Sequence, residues 1–331
     1  MKLARWIGVA AVATVLAGCT TTTGGSSTGT ASGTAPTPTP GQKLRIAVSI
    51  PAADHGWTAG VNWWAEQCKQ IYPNAEFTIV TAKDGAEQTS QIENLMTKGM
   101  DGIVILPQDA SALTITAKKL RDAGVFVVNV DRGFSEPVAD IFIEGDNRAF
   151  GRMAAEFMNE KLSGGGKVLV LEGMQSTVNT DRVNAFKAAL KPNITIAGQA
   201  AGEWNRETAY KVTQTMLVAN KDIQAVWAAD DDMALGVEQA LNEANMKNVW
   251  IIGGGGSKGV VKRVLDKNPQ FPATVTYSPN MIATGIHLCV SVLEGGMRAK
   301  RMAFMPRHMV LDVSLVTPEN AEEFHFPDST Y

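Results

Sequence analysis

The sequence predicts an α/β protein built from two doubly wound parallel-sheet lobes, and three observations lead there. From Leu44 onward, short apolar runs alternate with amphipathic segments of helical period, a rhythm that gives a parallel sheet with helices on both faces. About ten such runs fill the roughly 290 residues after Gln42, more than one typical domain holds and better divided between two sheets. Hydrophobic residues make up 45% of the chain and charged residues 19%, a composition able to bury real cores.

Before the first strand stand a leader and a tether. Lys2 and Arg5 precede the apolar run Ile7–Ala17, which is too short to span ~30 Å of hydrocarbon. Leu16-Ala17-Gly18-Cys19 then resembles a bacterial lipobox, so residues 1–18 are expected to be a signal peptide and Cys19 the acylated residue. Residues 20–42 are mostly Thr, Ser, Gly and Pro with almost nothing to bury, so no apolar contact offsets the entropy of ordering them. This linker is expected to span ~25–30 Å and to hold the folded part near a membrane.

The strands are read at Leu44–Ile50, Phe77–Thr81, Gly102–Leu106, Val125–Val130, Lys167–Leu171, Ile194–Ala200, Ala225–Ala229, Val249–Ile252 and Ala273–Tyr277. Helical patterns lie between them at about Thr58–Tyr72, Ala86–Lys98, Ala110–Ala123, Asn147–Leu162, Asp181–Leu190, Arg206–Asn220, Met233–Asn245 and Val260–Lys267. No segment after the leader reaches 18 consecutive apolar residues, so no second membrane element is expected.

A net charge of −3 without a basic stripe argues against nucleic acid as partner. His55, His287, His308 and His325 have no metal-ligand spacing, and no metal or cofactor is expected. Cys68 and Cys289 both fall in predicted helices; two buried thiols are the preferred reading, with a disulfide left open.

In open α/β sheets ligands bind beyond the carboxyl ends of the strands. The residues following these strands include His55-Gly56-Trp57, Asp131-Arg132, Asp181-Arg182, Glu203-Trp204, Asp230-Asp231-Asp232 and the run Gly253–Gly256. Indole faces cover the C–H side of a sugar ring and charged groups bond its hydroxyls, so this set suits a neutral polyhydroxylated ligand. Each residue also has a plainer reading. Trp57 can pack with Trp63 or Trp64, Asp131-Arg132 can be a structural ion pair, His55 can sit on a surface loop, and Asp231 or Asp232 is expected to be a helix N-cap.

The segments VNVDRG (128–133), GDN (145–147), TDRVNAF (180–186), DDDMALG (230–236) and ATVTYSPNMIATG (273–285) occur in order over about Lys43–Val316. Together they resemble a type I periplasmic sugar-binding protein of an ABC importer, nearest in pattern to the ribose-binding group. The resemblance implies two lobes joined by a three-stranded hinge (the periplasmic binding protein-like I fold), residues 43–146 plus 278–305 in one and 147–277 plus 306–331 in the other. It implies Trp57 and Trp204 on the two sides of a sugar ring, with Asp131, Arg132, Arg182 and Asp230 bonding hydroxyls. His55, Tyr277 and Gly255 belong to the same expected site. Two departures stand out: Gly255 where the family often has an aspartate, and Tyr277 where ribose-type members carry a glutamine. Asp230, often an asparagine there, would restore the carboxylate and balance two positive against two negative groups. The implied role is a monomeric, lipid-anchored receptor on the periplasmic or cell-surface side, closing on a small neutral sugar or polyol and docking on a permease with its ATPase. Service to a chemoreceptor or membrane sensor kinase is the alternative.

An enzyme using a dinucleotide is the remote rival, because Gly254-x-Gly256-x-x-Gly259 follows a strand and opens a helix. The acidic residue that fingerprint needs after the next strand is missing, since Ala273–Tyr277 runs into Ser278-Pro279. No Cys/His nucleophile arrangement appears either, so no catalysis is expected.

Overall fold

The structure, a computed structural model, describes residues 43–53 and 55–331. The expected signal peptide, Cys19 and the linker lie outside the described residues. The first lobe opens β1 (Leu44–Pro51), α1 (Gly56–Ile71), β2 (Ala75–Ala82), α2 (Gly85–Lys98), β3 (Gly102–Ile105), α3 (Ala110–Asp122), β4 (Phe126–Val130) and β5 (Ile141–Gly145). The second follows as α4 (Asn147–Lys161), β6 (Gly166–Glu172), α5 (Thr177–Ala189), β7 (Ile194–Ala201), α6 (Arg206–Ala219), β8 (Ala225–Ala228), α7 (Asp231–Glu243), β9 (Trp250–Gly255), α8 (Lys258–Leu265) and β10 (Ala273–Thr276). The chain then returns to the first lobe through α9 (Met281–Leu293), α10 (Arg298–Met302) and β11 (His308–Leu311), and ends its strands with β12 (Leu315–Val316) in the second.

The two sheets repeat one winding. Their orders are β11-β5-β4-β3-β1-β2 and β12-β10-β9-β8-β6-β7, parallel throughout except that β12 runs antiparallel to β10. β3, β4 and β8 are buried along their whole length, as strands covered on both faces must be, whereas β2 and β7 at the sheet edges mix exposed and covered positions. Many helices open on a polar cap: Asp84, Asp109, Asp146, Ser176, Asn205, Asp230 and Ser257 each accept a backbone N–H three residues on. These caps bring helix N-termini to the carboxyl edges of the strands, where the ends of both sheets face one another.

Three expectations need correction. β5, β11 and β12 were not among the strands read from the sequence: β5 alternates between buried and half-buried, β11 is half exposed, and β12 has only two residues. Residues 306–331 do not all belong to the second lobe, because β11 pairs with β5 (Ile143 opposite Met309), so the last crossing falls after Leu311. The cap of α7 is Asp230, with its side chain on Met233 N at 3.0 Å, and neither Asp231 nor Asp232. Cys68 and Cys289 are both buried and unpaired with each other, as preferred. Among the described residues no helix is long and apolar enough to cross a membrane.

Candidate functional site

The strand ends of the two lobes meet around a cavity, as the strand-end rule requires. Its wall contains every site residue expected from the sequence: His55, Trp57, Asp131 and Arg132 from the first lobe, Arg182, Trp204, Asp230 and Gly255 from the second, and Tyr277 where the chain crosses between them. Ser176, Val178 and Gly254 complete the lining. Trp57, Asp131, Arg182, Trp204, Asp230 and Tyr277 are all buried, so the lobes stand closed over it. A backbone N–H spans the seam: Gly56 N, at the start of α1, donates to Asp232 Oδ2 of α7 at 2.7 Å.

In the first lobe, α1 begins at the end of β1 and swings Trp57 inward. Trp63 and Trp64 pack edge-on against each other instead, 4.8 Å between centroids, which removes the reading of Trp57 as their partner. The Trp57 indole N–H donates to Tyr277 O at 2.8 Å, fixing the plane of the ring. Asp131 follows β4 with φ +65, a left-handed conformation uncommon for a residue with a side chain. It holds two partners: the Tyr277 hydroxyl donates to Oδ1 at 2.6 Å, and Arg132 Nε stands 3.7 Å from Oδ2. The ion-pair reading and the site reading of Asp131-Arg132 therefore describe the same two residues.

The second lobe fixes its groups more tightly. Arg182 Nε donates to Asn147 Oδ1 at 2.9 Å, one guanidinium nitrogen donates to Ala229 O at 2.8 Å, and Cζ lies 4.0 Å and 4.2 Å from the Phe150 and Tyr277 ring centres. Two of its five N–H donors are thus spent, leaving three for a ligand. Trp204 sits on a tight turn after β7, where Glu203 and Trp204 both have positive φ, and its ring comes 5.4 Å from Arg182 Cζ.

The three successive aspartates differ. Asp231 Oδ2 accepts from Ser257 N at 2.7 Å and Oδ1 from Thr274 Oγ1 at 2.8 Å, a structural role that ties α7 to the glycine loop and β10. Burial pushes its carboxyl up to about 6, against those two bonds. Asp232 takes Gly56 N and pairs with Arg206 at 3.2 Å. Asp230 is pushed up to about 7, by burial first and then by the Asp232 charge, with His55 and Met233 N–H opposing. The expected balance of two positive and two negative groups therefore holds only while Asp230 is ionised.

Tyr277 differs from its expected role. Its hydroxyl is occupied within the protein, donating to Asp131 and accepting from Asn147 Nδ2 at 3.3 Å, so it offers the cavity its ring. Burial first, then the Asp131 charge, holds its phenol well above the ordinary value and keeps it a donor. The glycine run also has a packing reason. A Cβ on Gly254 would strike the Phe150 ring, and one on Gly255 (φ +129) would strike the Tyr331 hydroxyl. The close approach at Gly254 gives that position of the dinucleotide-like pattern a packing reason.

Ser176, Val178 and Asn147 were not named as site residues from the sequence. Asn147 lay within the quoted GDN segment, and Ser176 lies at the carboxyl end of β6 as the cap of α5, which begins at Thr177 and not at Asp181 as expected. The strand-end rule marks the position of Ser176 but not its contact with the cavity.

The profile of the periplasmic binding protein domain matches residues 46–297. The chain belongs to that family. The ribose import binding protein of Bacillus subtilis strain 168 is 32% identical over 206 residues, 62% of this chain and 67% of that protein. The D-allose-binding periplasmic protein of Escherichia coli K12 is 28% identical over 278 residues, 77% and 88% of the two chains. An ABC transporter solute binding protein from Mycobacterium smegmatis with bound glycerol superposes with TM-score 0.78 at 28% identity, covering 86% of this chain and 98% of that one. This membership accounts for the repeated sheet winding and the three crossings between the lobes.

Proposed function

We propose that this chain is the extracytoplasmic receptor of an ABC importer and captures a small neutral sugar or polyol between its lobes. The observation that carries this reading is a cavity lined by two indoles, one from each lobe, together with carboxylates and guanidinium groups from both. Trp57 and Trp204 cover the apolar faces of the ligand ring, while Arg132, Arg182, Asp131 and Asp230 bond its hydroxyls. A ligand touching both lobes binds the closed form better than the open one, and only that difference shifts the population; moving from mostly open to mostly closed takes ~5 kcal/mol. The closed form then docks on a permease. Relatives named for ribose and allose and a neighbour with bound glycerol support the ligand class.

The test is thermal denaturation of residues 42–331 against D-ribose, D-allose, L-arabinose, myo-inositol, xylitol and glycerol, with NAD and a nucleoside beside them. One sugar or polyol is expected to raise Tm by several degrees, since a ligand bound only by the native state stabilises it by RT ln(1 + [L]/Kd). A response to NAD or the nucleoside alone would overturn the reading.

We also propose that Cys19 carries a lipid anchor, on the strength of Leu16-Ala17-Gly18-Cys19 after a short apolar run. Cys19→Ala is expected to move the protein from the membrane fraction to the soluble one; retention in the membrane fraction rules the anchor out.

A further inference from the structure

The first lobe has two ends. The carboxyl ends of its strands face the sugar cavity, and their amino ends form the opposite edge, where one basic and apolar segment lies. The end of α9 reaches that edge, because a Cβ on Gly102, the first residue of β3, would meet Leu293 Cδ1 at 2.7 Å. α10 follows and is fastened there. Arg298 donates to Gly124 O at 2.6 Å, just before β4, pairs with Asp140 at 3.2 Å, and lies 5.0 Å from the Phe126 ring centre. Phe304 comes next, before the chain runs into β11.

Residues 297–310 hold Arg298, Lys300, Arg301 and Arg307 and no carboxylate. Arg298 pairs with Asp140, and Arg307 donates to Asp140 O at 3.3 Å. Lys300 and Arg301 have no ion pair among the described residues. Beside them Phe304 is 90% exposed and Met297 is 40% exposed. An aromatic ring left in water next to free cations suits an anionic lipid surface: the ring enters the boundary between headgroups and acyl chains, and the cations meet phosphate. The other end of the fold favours lipid over a protein partner. Leu44 opens β1 on this same edge, two strands from β4 in the order β4-β3-β1, about 10 Å away at ~4.8 Å per strand. Residues 1–42, with the lipid expected on Cys19, therefore join the fold on the edge that carries Phe304.

We propose that this edge is a membrane-docking surface, in which Phe304 and Met297 enter the headgroup region and Lys300 and Arg301 meet anionic phospholipid. The proposal rests on the lipid-anchor reading above. One ring and two free cations bind a membrane weakly by themselves, since each cation near an anionic surface strengthens binding only about fivefold. A tether spanning ~25–30 Å supplies a local concentration on the order of millimolar, at which a weak surface suffices. β1 is eight residues long, so a chain resting on this edge holds its cavity about 25 Å from the lipid, on the side facing solution.

The experiment uses the full lipidated chain in vesicles of phosphatidylglycerol with phosphatidylcholine, and of phosphatidylcholine alone. Ala303→Cys, exposed and next to Phe304, carries a bimane label, while Cys68 and Cys289 are buried and stay unlabelled. Val218→Cys on α6 of the second lobe, where the valine is 75% exposed, is the control. Doxyl-labelled lipid is expected to quench the label at 303 and not at 218, and far more in the phosphatidylglycerol vesicles. Lys300→Glu with Arg301→Glu is expected to bring quenching at 303 down to the level at 218, because reversing both charges weakens binding by more than about twentyfold. The Tm of that variant is expected to match wild type, since neither side chain is paired. Equal quenching at 303 and 218 in a chain that stays with the vesicles overturns the proposal. Quenching at 303 that ignores both lipid charge and the double substitution overturns it as well. A chain that stays with vesicles of neither composition brings down the lipid-anchor reading, and the docking surface with it.

Discussion

Each lobe presents one aspartate to the cavity, and the two live in opposite surroundings. Asp131 of the first lobe is met by a phenol hydroxyl at 2.6 Å and a guanidinium nitrogen at 3.7 Å. Asp230 of the second caps α7 through one backbone N–H at 3.0 Å and stands beside two more carboxylates. The first is a carboxylate already provided with donors; the second has its carboxyl raised to about 7 and gains when a donor comes. The difference teaches that closure has a built-in asymmetry. On the proposed function, the first lobe supplies a finished acceptor, while the second supplies one left for a ligand's hydroxyl hydrogens, with Arg182 nearby.

The largest expected effect breaks the second wall outright. Arg182→Met removes the cation beside the aspartates and strands Asn147 Oδ1 and Ala229 O, both bonded to it now. Losing a buried, hydrogen-bonded charge costs about 2–5 kcal/mol, so affinity for the best panel ligand should fall a hundredfold or more, and Tm should drop. Calorimetry beside a melting curve checks both; an affinity within tenfold of wild type would show that Arg182 only supports the fold.

A matched pair of substitutions sharpens the contrast. Asp131→Asn loses a charge-assisted bond worth about 1.5–3 kcal/mol, so affinity should fall tenfold or more by calorimetry. Asp230→Asn should cost less at pH 6, where much of Asp230 is protonated, and more at pH 8. The stability of the ligand-free protein moves with it. The folded carboxyl holds its proton up to about 7 against an ordinary value of 3.8, so the folded chain binds more protons and stability falls as pH rises from about 4 to 7. Asp231, raised to about 6, acts in the same direction, so Asp230→Asn should flatten only part of that fall in Tm. A loss at Asp230→Asn that is the same at pH 6 and pH 8 would erase the distinction between the walls.

Much of this was legible in the sequence because the signals were long and repeated. β3 and β8 are continuous apolar runs and β1, β4 and β6 mostly so, and the strand-end rule applied to these and to β7 brought out Trp57, Asp131, Arg182, Trp204 and Asp230 together. β11 stayed hidden because four half-exposed residues carry little period, and its pairing with β5 comes from far along the chain. The cap of α7 was placed one or two residues late, since three successive aspartates are equally good caps and only the packing around Ser257, Thr274 and Gly56 tells them apart. Tyr277 was expected in the site only as a departure from a glutamine; that its hydroxyl joins Asp131 to Asn147 depends on geometry no spacing rule conveys.

The late arrival of β11 has a consequence for synthesis. His308 bonds Glu144 across 164 residues of sequence, and until that stretch exists β5 is an open parallel edge with unpaired N–H and C=O groups. The second sheet, by contrast, has β6 to β10 in one unbroken stretch before β11 is made. A nascent chain can therefore complete most of its second lobe while the first still waits for its sixth strand, and during that wait the exposed edge is where pairing with another chain would begin.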